Sequence, residues 1–368
     1  MGRMGELGAT AAPRRLGRAV STRKLLVTAA FTVVATLGTV PAGAVVSAPL
    51  TPVPTGKISV SDVSLGRHRF PNGITIGADG NVWFAETAKG RIGRMTIGDH
   101  QVTEFQVPGP NAAPIFQVAL GPDGAVWFTQ EFAAKIGRIT PNGQITQFDV
   151  PFHHGQGPYA ALGPGPTDIT AGPDGNLWFT EQFAGNIVKM TPQGVFTEYP
   201  IPTPLVIPTM ITAGPDGNLW FIEARFGAGP DVGNRIGRIT PDGVITEFPI
   251  PTPDAYAGDI TVGPDGNIWF TELRGDKIGR ITPEGVITEF SLPPGRGPEG
   301  IATGPDGDLW FTERSVNKLG RMTPEGVLLG QIPVPHAGPA FITAGPDNRM
   351  YFTENTASKI GVTSKVVE

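Results

Sequence analysis

Short stretches of alternating apolar and polar residues, each closed by a turn of Gly, Pro and Asp, succeed one another over most of this chain. The segment from Asp259 to Pro293 shows the pattern in full. Ile260-Thr261-Val262 reads as a short apolar strand and Gly263-Pro264-Asp265-Gly266 as a turn. Asn267 to Glu272, Lys277 to Ile281 and Val286 to Phe290 read as three further strands, with Pro283-Glu284-Gly285 as the turn before the last. Alternation with a period of two, bounded by such turns, predicts antiparallel strands. Pro and Asp suit the early turn positions, and Gly supplies the positive φ that closes them. The four strands are lettered A to D.

The pair Trp269-Phe270 in strand B predicts how these units stack. Successive side chains of a strand point to opposite faces. Each sheet therefore carries a large ring on both sides and needs a neighbour on both. The tryptophan recurs at Trp83, Trp127, Trp178, Trp220, Trp269 and Trp310, and Tyr351 takes the seventh place. That spacing, near 41 residues at its shortest, is the period of a four-stranded propeller blade with occasional insertions.

The predicted fold is all-β, a seven-bladed β-propeller of four-stranded antiparallel blades over residues 57–368. The last repeat stops at Lys359 to Val366, after its third strand. Upstream of the first repeat, Gly56 to Val63 resembles the D-strand phrase Gly243-Val244-Ile245-Thr246-Glu247-Phe248. An N-terminal strand is thus expected to close the last blade and protect its edge.

The first residues are of another kind. Arg14, Arg15, Arg18, Arg23 and Lys24 precede an apolar run from Leu25 to Val40, followed by Ala42-Gly43-Ala44. This order reads as a secretory signal and leader over 1–48, with cleavage after Ala44 or Ala48 and a linker over 49–56. An uncleaved membrane anchor is the competing reading. The expected location is secreted or extracytoplasmic, with no membrane association after signal cleavage. Net charge is −5 and the repeats hold no basic run, so no nucleic-acid partner is expected. With no cysteine, disulfides and thiolate catalysis are excluded. A monomer is expected.

Strand direction assigns the loops to faces. D-to-A and B-to-C connections share the top, while A-to-B and C-to-D turns share the bottom and are uniform. Length and composition vary on top, where binding residues concentrate on rigid scaffolds. Residues 151 to 166 form the longest D-to-A connection and carry His153, His154 and Tyr159; Tyr256 lies in the one entering the fifth blade. These four are the candidate ligand-binding residues. His68 and His336 also map to the top, and His100 to a bottom turn read as solvated. Strand B ends in Glu86, Glu181, Glu223, Glu272, Glu313 and Glu354, with Gln130-Glu131 in the second blade. Two readings stay open: a carboxylate-lined mouth able to hold Mg²⁺ or Ca²⁺, or acids that bond neighbouring backbone N–H groups in every blade. No Gly-x-Ser-x-Gly elbow or His-Glu-x-x-His helix occurs.

The phrases Leu177-Trp178-Phe179-Thr180-Glu181, Lys277-Ile278-Gly279-Arg280-Ile281-Thr282 and Ile245-Thr246-Glu247-Phe248-Pro249-Ile250-Pro251-Thr252-Pro253 resemble those of the streptogramin B (virginiamycin B) lyases, over essentially all of residues 57–365. The resemblance implies a seven-bladed propeller that opens a cyclic depsipeptide at its ester bond by elimination, with Mg²⁺ as cofactor. It further implies a Pro-His pair at the start of each of the last two blades, a Glu before the final pair, and a Glu ending the last strand B. Here the sixth blade reads Pro298-Glu299 and the seventh Gly338-Pro339-Ala340. The implied base is thus alanine and one implied metal ligand is glycine. The strand-B acid matches Glu354, or Asn355 if the spacing differs by one.

Two functions are therefore carried forward. One is a metal-assisted carbon–oxygen lyase, with Glu299 and His336 as candidate catalytic residues and Glu313 and Glu354 as candidate metal ligands. The other is a non-catalytic secreted module that recognises a peptide, glycan or cell-wall ligand on the top face.

Overall fold

The computed structural model describes residues 58–109, 114–151, 157–224, 233–335 and 338–366. They form seven four-stranded antiparallel sheets. Six use consecutive strands, as in Ala257–Val262, Ile268–Glu272, Lys277–Ile281 and Ile287–Ser291 of the fifth blade. The seventh combines Pro339–Ala344, Met350–Glu354 and Lys359–Thr363 with Val60–Ser64. Val60 pairs with Thr363 and Ser64 with Lys359. The N-terminal strand closes the last blade, as its sequence predicts. No helix among the described residues is long and apolar enough to cross a membrane. The expected leader and linker lie outside the described residues.

The alternating aromatic pair joins the blades. Trp220 of the fourth blade packs with Ile260, Ile268 and Phe270 of the fifth, and Trp178 of the third packs with Ile211 and Phe221 of the fourth. Tryptophan thus faces the following blade and phenylalanine the preceding one, and all these rings are fully buried. A buried indole N–H needs an acceptor. The bottom turn supplies it: Trp269 Nε1 donates to Asp265 Oδ1 at 2.9 Å, and the other five tryptophans repeat the bond. The glycine opening that turn makes room, since a Cβ on Gly263 would lie 2.2 Å from the Trp269 ring.

A cation lies over the tryptophan in each of the first six blades. Arg280 lies 5.5 Å over both Trp269 and Phe290. Its Nη1 donates to the Pro324 carbonyl of the next blade at 3.1 Å. Near the axis, Thr271 Oγ1 accepts from Asp259 N at 2.9 Å and donates to Glu299 O at 2.7 Å. One hydroxyl therefore links two blades.

Strand A starts earlier than its apolar run suggests. Ala257 pairs with Glu272, and the register shifts before Ile260 pairs with Phe270. The same bulge follows Pro71, Pro166, Pro208, Pro298 and Pro339. Proline suits a first strand position, where its missing N–H costs no ladder bond. The bulged residues break the alternation, and for that reason the apolar pattern conceals them.

Candidate functional site

The top loops are held by residues placed just before strand C in left-handed backbone, a conformation that Asn and Asp tolerate. Asp276 (φ 49°) accepts from the N–H groups of Gly295, Arg296 and Gly297 at 2.7, 2.7 and 2.9 Å. Asn234 Oδ1 accepts from Ala255 N at 3.0 Å, and Asn317 Oδ1 from Gly338 N at 3.0 Å. The fourth, fifth and sixth blades thereby fix the loop that enters the next.

The strand-B acids lie inside the blades. Each sits opposite the strand-A residue that precedes the bulge, as Pro71 does to Glu86 and Pro339 to Glu354, and none is more than 1% exposed. A buried carboxylate must be paired or hold its proton. In the first and sixth blades an arginine two residues before the strand-A proline approaches the acid: Arg69 lies 3.6 Å from Glu86 and Arg296 3.8 Å from Glu313. Glu313 is also bonded through both oxygens by Gln331 Nε2, at 2.7 Å each. Glu354 has neither aid. Its two oxygens receive no hydrogen bond, and burial, then the carboxyl of Asp62, pushes it up to about 8. Burial also lifts Glu272 to about 7 and Glu223 well above the usual carboxylate range.

Glu299 stands at the bulge of the sixth blade. Arg314 Nη1 bonds both of its oxygens, at 2.7 Å each. Burial raises Glu299 and Arg314 opposes that rise, the net direction being upward. Ala340 occupies the corresponding place in the seventh blade. It is 1% exposed, and its carbonyl accepts from Thr312 Oγ1 at 2.7 Å. Two residues earlier, Gly338 has φ 82° and would bring a Cβ to 2.5 Å from Thr356 Oγ1. The pairing of Pro339 with Glu354 makes Glu354 the strand-B acid. Asn355 instead bonds the first blade, through Nδ2 to Pro71 O at 3.1 Å.

Of the candidate ligand residues, Tyr256 lines a cavity of about 380 Å³ with Asn234, Asp254 and Arg274. The Arg274 guanidinium stacks 4.6 Å over the Tyr256 ring, and burial pushes the phenol up to about 12. Tyr159 packs edge-on against Phe183 at 6.0 Å, on other blades. His153, His154 and His336 lie outside the described residues. His100 is half-buried rather than solvated, edge-on to Tyr351 at 6.4 Å. Arg274, Arg314, Phe132 and Phe183 escaped the sequence reading, although aligning the B-to-C turns by repeat position would have singled out the two phenylalanines.

The sequence matches the virginiamycin B lyase family over residues 54–160, 158–293 and 231–366. The chain belongs to that family. Among solved structures it resembles a catalytically inactive histidine-to-alanine variant of the Staphylococcus aureus virginiamycin B lyase with quinupristin. Identity is 37%, with a TM-score of 0.75, covering 84% of this chain and 100% of that one. A streptogramin B lyase structure is 34% identical, with a TM-score of 0.75 over 83% and 97% of the two chains. Kuenenia stuttgartiensis hydrazine synthase shares the fold alone, at 15% identity and a TM-score of 0.66. No curated relative matches the chain.

The residues at the family's metal position do not make a fitting donor set for Mg²⁺, which takes oxygen ligands in octahedral geometry. Gly338 and Ala340 offer no side-chain oxygen, both oxygens of Glu299 are held by Arg314, and Glu354 is buried beside Asp62. Among the described residues no three His, Cys, Asp or Glu side chains converge.

Proposed function

We propose that this protein is an exported member of the virginiamycin B lyase family that binds a peptide-like ligand on its top face without metal-assisted elimination. The observation that carries this reading is Ala340. Elimination needs a base to take a carbon-bound proton and a group to steady the charge that develops. A methyl side chain can do neither, and the Ala340 carbonyl is committed to Thr312. The leader of basic residues and an apolar run supports export.

A lyase using Glu299 is the second reading. In its favour, burial raises the Glu299 carboxyl toward the range of a useful base. Against it, Arg314 engages both oxygens. Calorimetric titration with quinupristin, in Mg²⁺ and again in excess chelator, tests the proposal. Equal affinity in both, with ligand recovered intact, is the expected result. Affinity that depends on the metal and falls in Glu354→Gln would favour the lyase.

A further inference from the structure

Two adjacent B-to-C turns break the repeat with an aromatic ring. At the second position after the end of strand B, the seven blades carry Ala88, Phe132, Phe183, Arg225, Arg274, Ser315 and Thr356 in turn. Phe132 and Phe183 lie 5.9 Å apart, tilted by 47°. Phe116 extends the row at 6.2 Å from Phe132, and Tyr159 at 6.0 Å from Phe183. Tilted and edge-on packing is how aromatic rings prefer to meet. Phe183 is 8% exposed, but Phe132 leaves 51% of its surface in solvent. The row therefore presents an uncovered ring at Phe132.

The polar groups beside it limit what can cover that ring. Gln182 Nε2 donates to Glu131 Oε1, so the two side chains engage each other. Glu131 is nearly fully buried, and burial pushes it up to about 8, against the lowering effect of the Gln182 hydrogen bond. A sugar would need free donors around the ring; here the Gln182 amide N–H is taken by Glu131. One half-exposed ring is far smaller than the roughly 800 Å² per partner of a stable protein interface. A single ring of a small ligand fits it. Arg274 beside Tyr256 and Arg314 on Glu299 belong to the fifth and sixth blades, while on the second blade Lys135 and Asp149 are paired with each other.

We propose that Phe116, Phe132, Phe183 and Tyr159 form a subsite for an aromatic ring of the ligand bound on the top face. This deepens the binding reading and rests on it for the choice of face. The test is saturation-transfer NMR of the whole protein with N-acetyl-phenylalanine methylamide and N-acetyl-alanine methylamide. The phenylalanine probe binds saturably and the alanine probe does not. Phe132→Ala weakens binding by about tenfold, the worth of one aromatic contact. Phe132→Trp retains it, and Val244→Ala, on the bottom face, leaves it unchanged. Near-UV circular dichroism confirms that each variant is folded. Equal behaviour of the two probes, binding of neither, or full binding by Phe132→Ala overturns the proposal. Neither probe contains an ester or needs metal, so this experiment and the quinupristin titration can fail independently.

Discussion

Asp62 and Glu354 set two carboxyl groups side by side at the seam that closes the ring. Asp62 comes from the entering N-terminal strand and Glu354 from strand B of the last blade. Lys359 donates to Asp62 Oδ2 at 3.2 Å, while Glu354 receives no hydrogen bond. Burial and Asp62 together hold the Glu354 proton up to about 8. An unfolded glutamate titrates at about 4.3. Between these values the folded state binds the extra proton, so its stability is full in acid and falls as pH rises through the folded value. Burial shifts Glu86 and Asp259 (about 7) and Asp168 (about 8) the same way. Calorimetric melting temperatures should fall from pH 5 to pH 9, and Glu354→Gln should flatten that slope.

The bond between Trp269 and Asp265 should be worth more than its exposed position suggests. Burial alone would raise Asp265, but hydrogen bonds from Asn267 and Trp269, with the charge of Arg280, hold it below the usual carboxylate range. Asp265→Ala strands the indole N–H inside the blade joint, at a cost of about 1–3 kcal/mol. Trp269→Ala removes the ring itself and should cost about 3–5 kcal/mol. Urea denaturation of both variants measures the ordering.

Gly279 gives the ring of Phe270 its place. A Cβ there would meet Phe270 Cζ at 2.1 Å, so Gly279→Ala should lose about 1–3 kcal/mol through overpacking. The third blade carries Val188 at this position, where Phe179 packs edge-on to Phe196 at 6.3 Å. Gly279→Ala should therefore lower the melting temperature, and Phe270→Leu in the same chain should recover part of the loss.

Blades, faces and closure were readable because they repeat: Trp269 and Phe270 announce a two-sided sheet, and Val60–Ser64 supplies the fourth strand of the last blade. The top face was not, because its chemistry depends on departures from the repeat. Glu313 and Glu354 look alike in sequence, yet Arg296 and Gln331 surround one while Asp62 meets the other. Those partners arrive from different strands, and no local pattern encodes them. Tyr256 was visible as an aromatic residue in a top loop; Arg274 stacked on it was not.

Restoring the family's acid at Gly338 should be costly. The residue sits at φ 82°, and a side chain would meet Thr356 Oγ1 at 2.5 Å. Gly338→Glu should lose about 1–2 kcal/mol from the left-handed backbone alone. Thermal melts of Gly338→Glu with and without Thr356→Ala separate the two causes: the second change relieves the contact and leaves the backbone penalty.

The most direct measurement is fragmentation mass spectrometry of quinupristin after incubation with the purified protein and Mg²⁺. Ester elimination leaves the mass unchanged but opens the ring, so only the fragment pattern reports it. With alanine where the base would stand, the fragments should be those of the closed ring at every time point. Accumulation of an open-chain isomer at a rate set by protein concentration would contradict the account.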